Sequence, residues 1–222
     1  MFRRLFAEAV GTFLLLFGVG VSAGEPFAVG GTLLCAMVLT GFVSGAQFNP
    51  AITTGIIVYR YLDNSLHMND FTELVLNILV QFVSGILGGL VGWAVVSYPV
   101  HFDITDGYMD AETFFAEMLY TTLIVGNALI VGRLINNPII CGGIIAMAIT
   151  AGDWAIGKVT GGCFNPAIGF GINIINYAAK GSHLDHTWIY ILAPLLGGVL
   201  AACISRVFIE EFEAQKKKAA GY

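Results

Sequence analysis

The string Phe-Asn-Pro-Ala-Ile occurs twice, at 48–52 and again at 164–168, 116 residues apart. The match extends outward. Ser44-Gly45-Ala46-Gln47 aligns with Thr160-Gly161-Gly162-Cys163, and Gly55 with Gly171. Glu8 and Thr12 match Glu117 and Thr121, and Gly88-Gly89 matches Gly197-Gly198, both at an offset of 109. Each half therefore has one order: a Glu-bearing segment, a second apolar segment, an Asn-Pro-Ala segment and a Gly-Gly segment. A chain built this way folds as two copies of one unit.

The apolar pattern says what kind of unit. Of 222 residues, 57% are hydrophobic and 11% charged, against about 25% charged in a soluble domain. So little charge cannot cover a water-facing surface without large apolar patches. A net charge of −5 with ten Lys and Arg leaves no basic stripe for nucleic acid. Six runs are long enough to cross a bilayer, near 5–22, 28–43, 72–97, 113–132, 138–155 and 187–208. Two further stretches, 48–59 and 164–176, are too short to span and too apolar for water-exposed loops, so they read as re-entrant. Three spans per half is an odd number, so the second half enters the membrane from the opposite face. The sequence thus predicts an all-α membrane protein of one domain over 1–222, with inverted repeats at about 1–97 and 112–208. Residues 209–222 are expected to form a charged cytoplasmic tail. With the N-terminus in the cytoplasm, eight Lys and Arg lie inside and two, Lys158 and Lys180, outside. Glu8 within the first apolar run argues against a cleaved signal peptide.

Pro at the first turn of a helix sacrifices no hydrogen bond, because that N–H has no intrahelical partner. Asn just before it is a good N-cap. Asn49-Pro50-Ala51 and Asn165-Pro166-Ala167 therefore each start a half-helix. In an inverted repeat the two N-termini meet at the midplane, each carrying partial positive charge and free donors. Irregular backbone at that depth is tolerated inside protein or along a water-filled path. A pore that holds polar molecules and repels cations follows. Glu8 and Glu117, costly within spans, are expected to accept N–H bonds from the loops entering the half-helices, with Gln81 in the same supporting role.

These residues, together with Ala7-Glu8, Gly11-Thr12-Phe13, Phe170-Gly171, Trp188-Ile189, Pro194 and Gly197-Gly198, resemble the aquaporin, or major intrinsic protein, family over the whole chain. The resemblance implies six transmembrane helices plus two re-entrant half-helices per protomer, one pore in each, and a homotetramer. Gly85-xxx-Gly89 and Gly88-xxx-Gly92 offer small-residue faces, suited to contacts between copies or within one protomer. By the same resemblance, four positions line an outer constriction, and here they fall on Val29, Asp153, Gly162 and Ile168. The family's arginine is replaced by Ile168, which removes a fixed positive charge and its donors. Val29 and Gly162 are small, so a wide mouth with weak discrimination against urea and glycerol is expected. Asp153 either pairs with Lys158, sits hydrated at the mouth, or contributes negative charge to selectivity. Phe48 and Phe164, next to the two Asn residues, either narrow the middle of the pore or point into the helix bundle. Gln47 stands where a titratable His is common.

The resulting expectation is a passive channel in the lipid bilayer for water and small neutral solutes such as glycerol and urea. Two alternatives stand beside it: a poorly conducting structural subunit of a larger membrane assembly, and an atypical ion-permeable pore. No cofactor and no enzymatic activity are expected, since no nucleophile–base set or metal cluster is visible. Cys35, Cys141, Cys163 and Cys203 form no CxxC pair and read as small fillers. Asp103, Asp106 and Asp110 read as a solvated acidic loop, and His183 and His186 as loop residues without a third ligand.

Overall fold

The computed structural model describes residues 1–98, 100–135, 137–182 and 184–220, so His183 lies outside the described residues. Among these residues there are eight helices and no strand: α1 (Phe2–Ser22), α2 (Pro26–Ser44), α3 (Pro50–Leu62), α4 (Met68–Val96), α5 (Asp110–Leu134), α6 (Pro138–Thr160), α7 (Pro166–Lys180) and α8 (Ile189–Ala219). Six of them, α1, α2, α4, α5, α6 and α8, are long and apolar enough to cross a membrane. The half-helices α3 and α7 have 13 and 15 residues, which at 1.5 Å per residue reach only about two-thirds of a 30 Å hydrocarbon core.

Local chemistry sets the boundaries. Four helices begin with Pro directly after a capping side chain: Glu25, Asn49, Asn137 and Asn165 each accept N–H bonds from the first turn. Gly45, Gly161 and Gly181 end α2, α6 and α7 in the left-handed conformation. The helix α8 runs on through the segment expected as a separate tail. Ile209 is buried there and Glu213 pairs with Arg133 at 3.0 Å, so side-chain packing continues the helix past the apolar run.

Helix pairing has the symmetry of the repeat. In the first half α1 packs on α4 and α2; in the second, α5 packs on α8 and α6. The half-helices cross over, α3 lying against α8 and α7 against α4, while α2 meets α6. Close crossings need glycine. A Cβ on Gly198 would overlap the carbonyl of Ala51, and one on Gly85 would lie 3.0 Å from that of Ala167. Both small-residue faces of α4 are consumed in this way: Gly85 and Gly89 meet α7, and Gly88 and Gly92 meet α1. They serve contacts within the protomer and are not open to a second copy.

The distribution of polarity inverts that of a soluble protein. Glu8, Gln81, Asn49, Asn165 and Glu117 are buried, while Leu39, Phe42, Leu79, Leu119, Leu123 and Met147 are exposed on the outside. An apolar exterior of this extent requires a lipid surround.

Candidate functional site: the junction of two half-helices

Each half-helix is entered through a loop held by a buried carboxylate. Glu8 of α1 accepts from the backbone N–H of Gln47 (2.9 Å) and Phe48 (2.9 Å) and from Gln81 Nε2 (3.0 Å). Gln81 Nε2 also donates to Thr53 Oγ1 at 3.0 Å, which ties the carboxylate to the first turn of α3. Glu117 of α5 accepts from the N–H of Cys163 (3.0 Å) and Phe164 (2.8 Å) and from Thr160 Oγ1 (2.6 Å). Thr160, the last residue of α6, thus brings a hydroxyl to the second carboxylate. Nothing but its alignment with Ser44 marks it in the sequence.

These bonds fix an unusual backbone. Phe48 and Phe164 have φ of 50° and 53°, a left-handed region that costs a non-glycine residue about 1–2 kcal/mol. The conformation turns their carbonyls toward the opposite half. Asn49 Nδ2 donates to Phe164 O (2.9 Å) and Asn165 Nδ2 donates to Phe48 O (2.9 Å). The Oδ1 atoms cap their own helices, accepting from Ala51 N (2.8 Å) and Ala167 N (2.9 Å). Reciprocal side-chain bonds therefore clamp the two N-termini to each other. Each amide has two N–H groups, and one of them is committed to the clamp.

The two phenyl rings lie in the bundle. Phe48 packs where a Cβ on Gly11 would overlap it; Phe164 packs against Gly152, with its centroid 5.8 Å from that of Tyr120. Neither ring lines the cavities on either side of the junction. Gly11 and Gly152 leave the space that the two rings fill.

On the side away from the chain termini, Val29, Asp153, Gly162 and Ile168 come together around one small cavity, with Asn165 on its wall. The cavity bounded by these small side chains is itself small. The space open to the centre of a water molecule is about 20 Å³, and one water needs roughly 10–15 Å³ by that measure. The space beside Gly162 is taken by the Asp153 carboxylate. Phe102, from the loop between α4 and α5, lines the same cavity. Sequence reasoning missed it, because an aromatic in an acidic loop carries no local signal of burial. Asp153 is 8% exposed and borders Gly162. Among the described residues no ion pair joins it to Lys158, which is exposed. Five residues along a helix place the two side chains about 140° apart, so they leave the helix on different faces.

On the side of the termini the path opens into a vestibule of about 760 Å³. Gln47 lines it, with Oε1 accepting from Thr53 Oγ1 at 2.7 Å. Ion pairs surround it: Arg4–Glu73 (3.0 Å), Arg60–Asp70 (3.5 Å) and Arg133–Glu213 (3.0 Å). Asp103 of the opposite loop contacts His186 Nδ1 at 2.7 Å instead of standing only in solvent. Among the described residues no group of His, Cys, Asp and Glu has the arrangement of a metal site.

Residues 1–205 match the model of the family described as major intrinsic protein. Glycerol uptake facilitator protein-like 6 of Lactiplantibacillus plantarum is 30% identical over 236 residues, covering 94% of this chain and 99% of its own length. Aquaporin Z of Photorhabdus laumondii is 25% identical, covering 95% of this chain and 99% of its own length. The aquaglyceroporin from Plasmodium falciparum superposes with a TM-score of 0.81 at 16% identity, over 96% of this chain and 99% of that one. The chain belongs to the major intrinsic protein family. It is an integral, multi-pass membrane channel for water or small solutes, and not an enzyme.

Proposed function

We propose that the chain is a passive water channel, with glycerol and urea as candidate further permeants. The path runs from the vestibule, past Asn49 and Asn165, through the cavity bounded by Val29, Asp153, Gly162 and Ile168. The observation that carries this reading is the reciprocal clamp of Asn49 and Asn165 onto the carbonyls of Phe164 and Phe48. It holds two positive helix ends face to face, which disfavours a cation at the junction while leaving amide donors for a polar permeant. Glu8, Glu117 and Gln81 hold the loops that make the clamp. The excess of Lys and Arg on the side of the termini supports a cytoplasmic placement of both termini. Family resemblance supports a homotetramer, with contacts on faces other than the glycine stripes of α4.

Stopped-flow light scattering of proteoliposomes tests the reading. Osmotic shrinkage faster than in empty liposomes, with low activation energy, is expected. Shrinkage no faster than in empty liposomes, from protein that elutes as one oligomer, overturns it. That result favours the second reading, a poorly conducting subunit, for which the 20 Å³ outer cavity is the specific observation. An ion conductance abolished by Asp153→Asn is the outcome that favours an ion-permeable pore.

A further inference from the structure

We propose that Phe102 sets the width of the outer constriction and that Asn173 is the residue that positions it there. The inference rests on the channel reading above. None of the four positions inferred from the resemblance carries a ring, and two of them, Val29 and Gly162, are small; the cavity they border is nevertheless nearly closed. Among the described residues, the one aromatic ring lining that cavity comes from a loop. Phe102 belongs to the connection between α4 and α5, yet it is 5% exposed and lines the cavity.

The geometry that places the ring is specific. Asn173 Oδ1 accepts from Phe102 N at 2.8 Å, and Asn173 Nδ2 donates to Phe102 O at 2.9 Å. One side-chain amide thus satisfies both backbone groups of a single residue, as a neighbouring strand would. Asn173 Nδ2 also donates to Thr187 Oγ1 at 2.9 Å, and Asn176 Nδ2 donates to Val100 O at 3.3 Å. Asn173 is fully buried on α7. The same half-helix begins at Asn165, about 12 Å away at 1.5 Å per residue. A single rigid element therefore fixes both the amide at the junction and the loop backbone over the mouth. The ring is hemmed in on its other sides. A Cβ on Gly161 would stand 3.1 Å from Phe102 Cδ1, and the Tyr190 centroid is 5.9 Å from its own. With its backbone held by Asn173 and its ring beside Tyr190, Phe102 lines the same cavity as Val29 and Ile168. The aromatic surface at this cavity thus belongs to a loop and not to a spanning helix.

The test measures water and glycerol permeability of proteoliposomes carrying wild type, Phe102→Ala, Phe102→Leu, Phe102→Trp and Asn173→Ala. Glycerol flux is expected to rise severalfold in Phe102→Ala and by less in Phe102→Leu, and both fluxes to fall in Phe102→Trp. Asn173→Ala, which keeps the ring but frees its backbone, is expected to raise the glycerol-to-water ratio. A purely structural role for Asn173 would lower thermal stability without moving that ratio. Equal ratios in wild type and in the folded members of the series overturn the inference. If wild type is no faster than empty liposomes while Phe102→Ala conducts, the channel reading of the wild type falls and the inference stands. If neither conducts, both fall.

Discussion

Replacing Glu8 by Ala tests whether the buried carboxylates hold the junction together. Glu8 is fully buried and receives three donors: the N–H groups of Gln47 and Phe48 and the amide of Gln81. Alanine strands the two backbone N–H groups, at about 1–3 kcal/mol each. It also removes a buried carboxylate whose own desolvation is unfavourable, so the net loss falls in the lower part of the resulting range, about 2–4 kcal/mol. Glu8→Gln keeps one accepting oxygen but turns an NH₂ toward a backbone N–H, and is expected to lose about 1–3 kcal/mol, the cost of one unmatched donor. The loop has a further reason to relax: Ala46 and Phe48 both sit at a φ of 50°, which the two bonds to Glu8 restrain. Once released, Phe48 O turns away from Asn165 Nδ2, and water permeability should fall along with stability. Unfolding in mixed micelles, followed by the fluorescence of Trp93, Trp154 and Trp188, measures the first effect, and stopped-flow scattering the second. The expected order of stability is wild type, Gln, Ala. A Glu8→Ala protein within about 0.5 kcal/mol of wild type, the range of an ordinary surface change, would refute the reasoning.

Two other perturbations differ in their expected effect on flux. Phe48→Leu with Phe164→Leu should leave water permeability unchanged and cost about 1–2 kcal/mol per site in the same unfolding assay, because each ring fills bundle space and lines neither cavity. Ile168→Arg should lower water and glycerol flux together: about 20 Å³ of free space cannot take a guanidinium without displacing the water path, and Asp153 on the same cavity would hold the new charge there.

Much of the frame was legible in the sequence, because it rests on local rules. Apolar runs of sufficient length mark the six spans, and Pro after Asn marks the start of α3 and α7. The repeat of an odd number of spans gives the inverted relation. Each of these is decided by residues a few positions apart, through backbone hydrogen bonding, the fixed φ of proline and the cost of bare polar groups in lipid. The same rules give a carboxylate in α1 and α5 and direct it to the N–H groups of the loops entering the half-helices, but not the added donor Thr160 Oγ1 on Glu117.

Tertiary structure alone decided which way the side chains turn and which residues border the path. Phe48 enters the bundle because Gly11, 37 residues earlier, leaves room for it, and Phe164 does so because of Gly152. The glycines of α4 are spent on α1 and α7, which no spacing along α4 reveals. Phe102 is held at the cavity because Asn173, 71 residues beyond it, matches its N–H and C=O. Steric fit and hydrogen bonding across such separations depend on where whole helices lie, so no local window of the sequence contains them.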